Sequence, residues 1–172
     1  QIVTLSPEAD FEEALNSNSG EVIRLSSNVS LSSPLNIGSA ATDTEQAEYV
    51  NAIVDLNGCA LNVTDEELKN LFVVNEGSSL TLFNGEITGV EGSKIVAVKA
   101  TGSDVTISNV SLADVDTAVR VEDGAANGTN STVIISDSDL TTSSATVLLY
   151  GDGDKSSAMS QLIIQDSTIT SE

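Results

Sequence analysis

Apolar and polar positions alternate along most of this chain in a phrase that recurs five times. An apolar residue, any residue, an apolar residue, any residue and a turn-tolerant residue are followed, three positions on, by a closing apolar residue. The phrase runs Val54-Asp55-Leu56-Asn57-Gly58 to Leu61, Leu80-Thr81-Leu82-Phe83-Asn84 to Ile87, and Val105-Thr106-Ile107-Ser108-Asn109 to Leu112. It returns as Val133-Ile134-Ile135-Ser136-Asp137 to Leu140 and Leu162-Ile163-Ile164-Gln165-Asp166 to Ile169. The closing residues 61, 87, 112, 140 and 169 lie 26, 25, 28 and 29 positions apart. A fixed period of this length marks a solenoid, in which each repeat buries its apolar face only against its neighbours.

Successive side chains of a strand point to opposite faces, so alternation on both sides of the turn predicts strands with one buried face. Gly58, Asn84, Asn109, Asp137 and Asp166 hold the turn position. Gly, Asn and Asp are the residues that enter a left-handed backbone at least cost, which predicts one sharp bend repeated in register. Stacked Asn and Asp side chains can bond across that bend as a ladder. A third strand per rung is expected at Phe72-Val73-Val74, Val96-Ala97-Val98, Val119-Arg120-Val121 and Val147-Leu148-Leu149, with outer members inward. An earlier rung is visible in Asn28, three before Leu31, with Leu25 one residue early as a bulge would require.

Ser6-Pro7-Glu8-Ala9-Asp10 reads as a helix start, with Phe11, Ala14 and Leu15 as its apolar stripe. That helix is expected to cover one end of the coil. Thr64-Asp65-Glu66-Glu67 has capping-box spacing and predicts a short helical turn within a rung connection. The expected fold is all-β: a right-handed single-stranded parallel β-helix of about six rungs with a short N-terminal capping helix. It forms one domain over residues 1–172, with 1–20 as cap and 21–172 as rungs. The floor of Leu149, Leu162, Ile164 and Ile169 has no cap after it, so the reading expects a fragment of a longer protein or end-to-end self-association.

Three strands per rung, the bend and the period resemble the pectin-lyase-like β-helix superfamily over nearly the whole chain, with Asn84, Asn109, Asp137 and Asp166 at its turn-ladder positions. The stretches Ile53-Val54-Asp55-Leu56-Asn57-Gly58-Cys59-Ala60-Leu61 and Phe72-Val73-Val74-Asn75-Glu76-Gly77-Ser78-Ser79-Leu80-Thr81-Leu82 are similar to β-helix segments of large secreted surface proteins of Gram-positive bacteria. The resemblance implies that catalysis, where it occurs, uses the outer face of the third strands and the flanking loops. It directs attention to Lys99, Arg120, Glu122 and Asp123 as the least implausible catalytic set. The sequence register puts Asn75, Lys99, Glu122 and Tyr150 in one outward column and Val73, Ala97, Arg120 and Leu148 in the next. A lyase of that family would want clustered acids for calcium and a free cationic base. Lys99 with Glu122 reads more simply as a cross-strand ion pair.

Composition narrows the partners. The chain carries 26 acids against six bases, a formal charge of −20, and no His. Such a surface is repelled by nucleic-acid phosphates and anionic lipids. Nucleic acid and membrane insertion are accordingly excluded as partners, and no apolar run approaches the roughly 18 residues of a membrane span. Absent His removes the usual base of a Ser or Cys nucleophile. Single Cys59, beside the bend, reads as a packing residue. No cofactor is expected; the functional alternative to a solvated acidic surface is divalent-cation binding, with calcium at Asp152 and Asp154 in Gly151-Asp152-Gly153-Asp154. Tyr150, Asp152 and Asp154 are the binding candidates, because the connections 38–53, 122–132 and 150–161 are long and emerge along one edge. The expected function is a non-catalytic module of a secreted or cell-surface protein, spacer or adhesin-like, that meets a glycan or a host or cell-surface protein along that edge. A polysaccharide lyase or glycoside hydrolase, and a phage or viral fibre segment, are the alternatives.

Overall fold

The computed structural model describes residues 1–122, 124, 130–150 and 160–172. They form a parallel β-solenoid of about five turns with one short helix. Strand β1 (Ile2–Leu5) precedes helix α1 (Phe11–Ser17). The first turn is β2 (Val22–Leu25), β3 (Val29–Leu31) and β4 (Leu35–Ile37). The second is β5 (Asn51–Asp55), β6 (Ala60–Val63) and β7 (Asn70–Val74). In the third and fourth turns a strand runs through the bend, β8 (Ser79–Thr88) followed by β9 (Val96–Thr101), then β10 (Asp104–Glu122) alone; the fifth turn is β11 (Thr132–Ser136) and β12 (Asp139–Leu149). A part turn, β13 (Gln161–Gln165) and β14 (Thr168–Ser171), follows. Five complete turns replace the expected six because the last phrase supplies only two strands.

Four of the five phrases pair as the sequence expects. Leu80, Val105, Val133 and Leu162 are successive partners, as are Ile87, Leu112, Leu140 and Ile169. The first phrase is displaced by two residues. Val54 pairs with Leu82 and not Leu80, while Leu61 still pairs with Ile87, so the second turn carries two extra residues between Asp55 and Ala60. Likewise Val29, and not Leu31, stacks on Leu61, and the first turn keeps one extra residue between Ile23 and Val29 relative to Leu82 and Ile87. The third strands also correct the reading: Phe72-Val73-Val74 pairs with Val98-Lys99-Ala100, two residues beyond the expected Val96 triplet. The Val119 and Val147 triplets pair as expected.

The core is a stack of aliphatic rows, such as Leu82–Ile107–Ile135 and Leu61–Ile87–Leu112–Leu140, all buried. Each fully buried Leu or Ile contributes roughly 1.5–3 kcal/mol of transfer free energy. Helix α1 closes the first end with buried Phe11 and Leu15. It starts later than the Ser6-Pro7 signal indicates. Ala9 N–H bonds the Ser6 carbonyl in a turn, and Asp10 is the N-cap, accepting from Glu13 N at 3.0 Å. Asp wins because its carboxylate both caps and meets the helix dipole. The segment 64–67 is a turn and not a helix: Asp65 accepts from Glu67 N, and Leu68 N–H returns to the Asp65 carbonyl. At the other end, Leu149, Leu162, Ile164 and Ile169 are 46%, 39%, 43% and 40% exposed.

Candidate functional site

The left-handed bend residues are Asn84, Asn109, Asp137 and Asp166, with φ between 47° and 63°. Asn109 Nδ2 donates to Asn84 Oδ1 at 3.0 Å, and Asn84 Nδ2 donates to Asp55 Oδ1 at 3.4 Å. Gly58 is left-handed too, but it shares the widened bend with Asn57, also at positive φ, and the ladder passes through Asp55 instead. Asp55 is buried and satisfied: Arg24 Nε donates to it at 2.9 Å and Asn57 N at 3.0 Å. Serines continue the stack beside the ladder, with Ser136 Oγ against Ser108 Oγ at 3.0 Å and Ser138 Oγ accepting from Val110 N. These residues hold the bend. Asn109, Asn84 and Asp55 bond one another across it.

The outer face of the third strands gathers the chemistry. The two-residue correction stacks Lys99 directly on Arg120, in the column Asn36, Val73, Lys99, Arg120, Leu148. Ala97, assigned outward from sequence, is instead fully buried at the corner where the coil turns. Glu122 pairs with Thr101, and Tyr150 N–H donates to the Val121 carbonyl, which places Tyr150 beside Glu122 on the next turn. Asn75 does not share Lys99's column. Its Nδ2 donates to the carbonyls of Ile37 and Gly38.

Glu122 reaches Arg120 two residues back on its own strand and Lys99 diagonally on the neighbouring one. Its Oε2 lies 3.2 Å from Lys99 Nζ and its Oε1 2.9 Å from Arg120 Nη2. The Arg120 guanidinium stacks 4.7 Å above the centre of the Tyr150 ring, which is 51% exposed, and Arg120 Nε has no hydrogen-bond partner. Planar guanidinium over an aromatic face is a favourable cation–π geometry. Two cations thus meet on one carboxylate of a strongly acidic molecule. Both Glu122 oxygens are engaged by these cations, and the Tyr150 ring stands exposed beside them. Asp123, Asp152 and Asp154 lie outside the described residues. Among the described residues no three acidic or thiol side chains are close enough to hold a metal ion.

The long connection 38–50 leaves the same edge, pinned by a bridge between Ser39 and Glu48. It ends at exposed Tyr49, whose ring lies on Gly77; a β-carbon there would meet the ring at 2.6 Å. Cys59 is half-buried against the core, in keeping with a packing role. Sequence reasoning missed two functional-looking residues. Asp55 was hidden by the displaced first phrase. Asp114, left-handed at φ 56°, sits in a bulge of β10. The bulge gives no length signal, because the extra residue between Leu112 and Val115 is offset by one fewer between Val115 and Thr117, relative to β12. No protein-family profile, curated protein or solved structure matches this chain.

Proposed function

We propose that the chain is a non-catalytic β-helical module of a secreted or cell-surface protein, a rigid spacer that binds a glycan or protein partner along its loop edge. The observation that carries this reading is the exposed Tyr150 ring backed by Arg120, which shares Glu122 with Lys99, set where the long connections emerge. An exposed ring suits the apolar face of a sugar, and two adjacent cations suit a carboxylate or sulfate on it. The pectin-lyase-like resemblance supports the same face. Among the described residues no helix is long and apolar enough to cross a membrane.

A second reading, a polysaccharide lyase or glycoside hydrolase, is favoured by one observation: Lys99, Arg120 and Glu122 do converge. The ion pairs argue against it, since two cations held on Glu122 stabilise the carboxylate and weaken it as a general base. One experiment separates them. The chain is run through gels cast with acidic and neutral polysaccharides, with and without calcium, and the same mixtures are assayed for unsaturated and reducing ends. The expected result is retardation by acidic polysaccharide, weakened by Arg120→Ala and Tyr150→Ala, with no new ends. Unsaturated products would move the assignment to a lyase; no retardation by any polysaccharide would leave a protein partner as the ligand.

A further inference from the structure

A strand with a neighbour on one side only leaves a row of unpaired N–H and C=O groups, and natural sheets guard such rows with charge, proline, a bulge or a covering element. At the first end the guard is α1. Glu12 Oε2 accepts from Asn36 N and Asn16 Oδ1 from Gly38 N, while Asn16 Nδ2 donates to the Asn36 carbonyl, so side chains of α1 stand in for the strand that β4 lacks. The other end has no such guard among the described residues. There β13 pairs only with β11, and β14 only with β12. Neither Gln161-Leu162-Ile163-Ile164-Gln165 nor Thr168-Ile169-Thr170-Ser171 contains a charged residue or a proline, in a chain with 26 acids.

The open edge of β13 has a definite pattern. Gln161 N–H donates to the Ser131 carbonyl, and successive residues of a strand turn their backbone groups to opposite sides, so Ile163 and Gln165 also face β11. Leu162 and Ile164 therefore present both N–H and C=O to the open side. Their side chains occupy the inward rows and are about two-fifths exposed. The strand also reads alike from either end: glutamine, aliphatic, Ile163, aliphatic, glutamine. Laid antiparallel on a copy of itself about a two-fold axis through Ile163, Leu162 meets the second copy's Ile164 with both side chains on the inward face. The two such pairs exchange four backbone hydrogen bonds.

We infer that β13 is a dimerisation edge, at which two copies of this chain join by their last turns through antiparallel β13 strands with Ile163 on the two-fold axis. The strip is self-complementary, and the axis keeps the nearest charges apart. It sends the two Asp166 carboxylates to opposite ends of the paired strands, about 20 Å from each other and beyond the Debye length at physiological salt. Head-to-tail stacking is closed off, since α1 lies over the first end and a helix is about 10 Å across, twice the strand spacing. The product is a closed pair and not a filament. One strand from each copy makes a small interface, so the dimer forms with rising concentration and dissociates when dilute. The inference is independent of the glycan reading, which concerns the outer face of the third strands.

The test is sedimentation velocity on the 172-residue chain from about 10 µM to about 1 mM, at about 0.15 M and about 0.5 M salt. The expected result is a shift from 17.7 kDa toward twice that mass with concentration, stronger at the higher salt because each copy carries a formal charge of −20. Leu162→Pro removes a donor that faces the open side while leaving the ladder to β11 whole, and should weaken association about tenfold. In a Cys59→Ala background, which removes the free thiol, Ile163→Cys should give a disulfide-linked dimer on oxidation. Residues opposite each other at a non-hydrogen-bonded antiparallel position have Cα atoms about 4.5 Å apart, within disulfide reach. Gln165→Cys, which lies opposite the second copy's Gln161, should not cross-link. A monomer throughout the range, association unmoved by Leu162→Pro, equal cross-linking by the two cysteine variants, or species larger than a dimer would each overturn the inference.

Discussion

The two ends of the coil are made from the same kind of strand and meet different fates. At the first end, α1 lays Phe11 and Leu15 over the stack, and Leu25 and Ile23 beneath are sealed from water. At the other, Leu162, Ile164 and Ile169 occupy the same inward rows as Val105, Ile107 and Leu112, yet stand about two-fifths exposed. Alternation therefore decides which way a side chain points, and the neighbouring layer decides whether pointing inward stabilises anything. In a solenoid these are separate facts.

That comparison is easiest to break with truncations. Leu15→Ala opens a cavity under the cap and should cost about 2–5 kcal/mol in urea unfolding, whereas Ile164→Ala removes atoms already half in water and should cost about 1 kcal/mol or less. Equal losses would mean that the last turn is packed as tightly as the first. The bend comes next in size. Asn109→Val forces a β-branched residue into a left-handed backbone and removes the bond to Asn84, with an expected loss of about 1–3 kcal/mol, and Asn109→Gly should recover part of it. Asp10→Ala, which strips the cap from α1, should cost about 1 kcal/mol and lower protection only near the first end. The smallest effect is expected from Glu122→Gln, at under about 1 kcal/mol, because its ion pairs are partly exposed. Hydrogen exchange sharpens the contrast without mutation. The amides of β13, paired only with β11, should exchange far faster than those of β8, which has a strand on each side.

Most of the fold was legible because the period-2 pattern and the bend residues agree with each other in the later turns. Where they agree, as from Leu80 to Ile169, the pairing follows to the residue. Where a turn carries extra residues at its bend, as between Asp55 and Ala60, the two signals part, and the wrong one was followed. The third strands failed for a different reason. Val96, Val98 and Ala100 all alternate, so either overlapping triplet satisfies the pattern, and only pairing with Phe72 and Val119 selects the second. Lys99, Arg120, Glu122 and Tyr150 were legible as residues of one face. Their columns were not, since a two-residue shift preserves which side a residue faces while changing its neighbours. The bulge at Asp114 left no trace in the spacing at all.

The parallel pairing has a mechanical consequence. Every turn is held to the next by bonds that run along the axis, while the chain itself runs around it. Force applied between the two ends would load those bonds one strand at a time, as in a zipper, and not all together in shear. Each released turn frees the 25 to 29 residues that separate its equivalent positions, which at about 3.5 Å per residue gives close to 90–100 Å of slack. A rod of this construction is stiff when compressed and extensible in discrete steps when pulled.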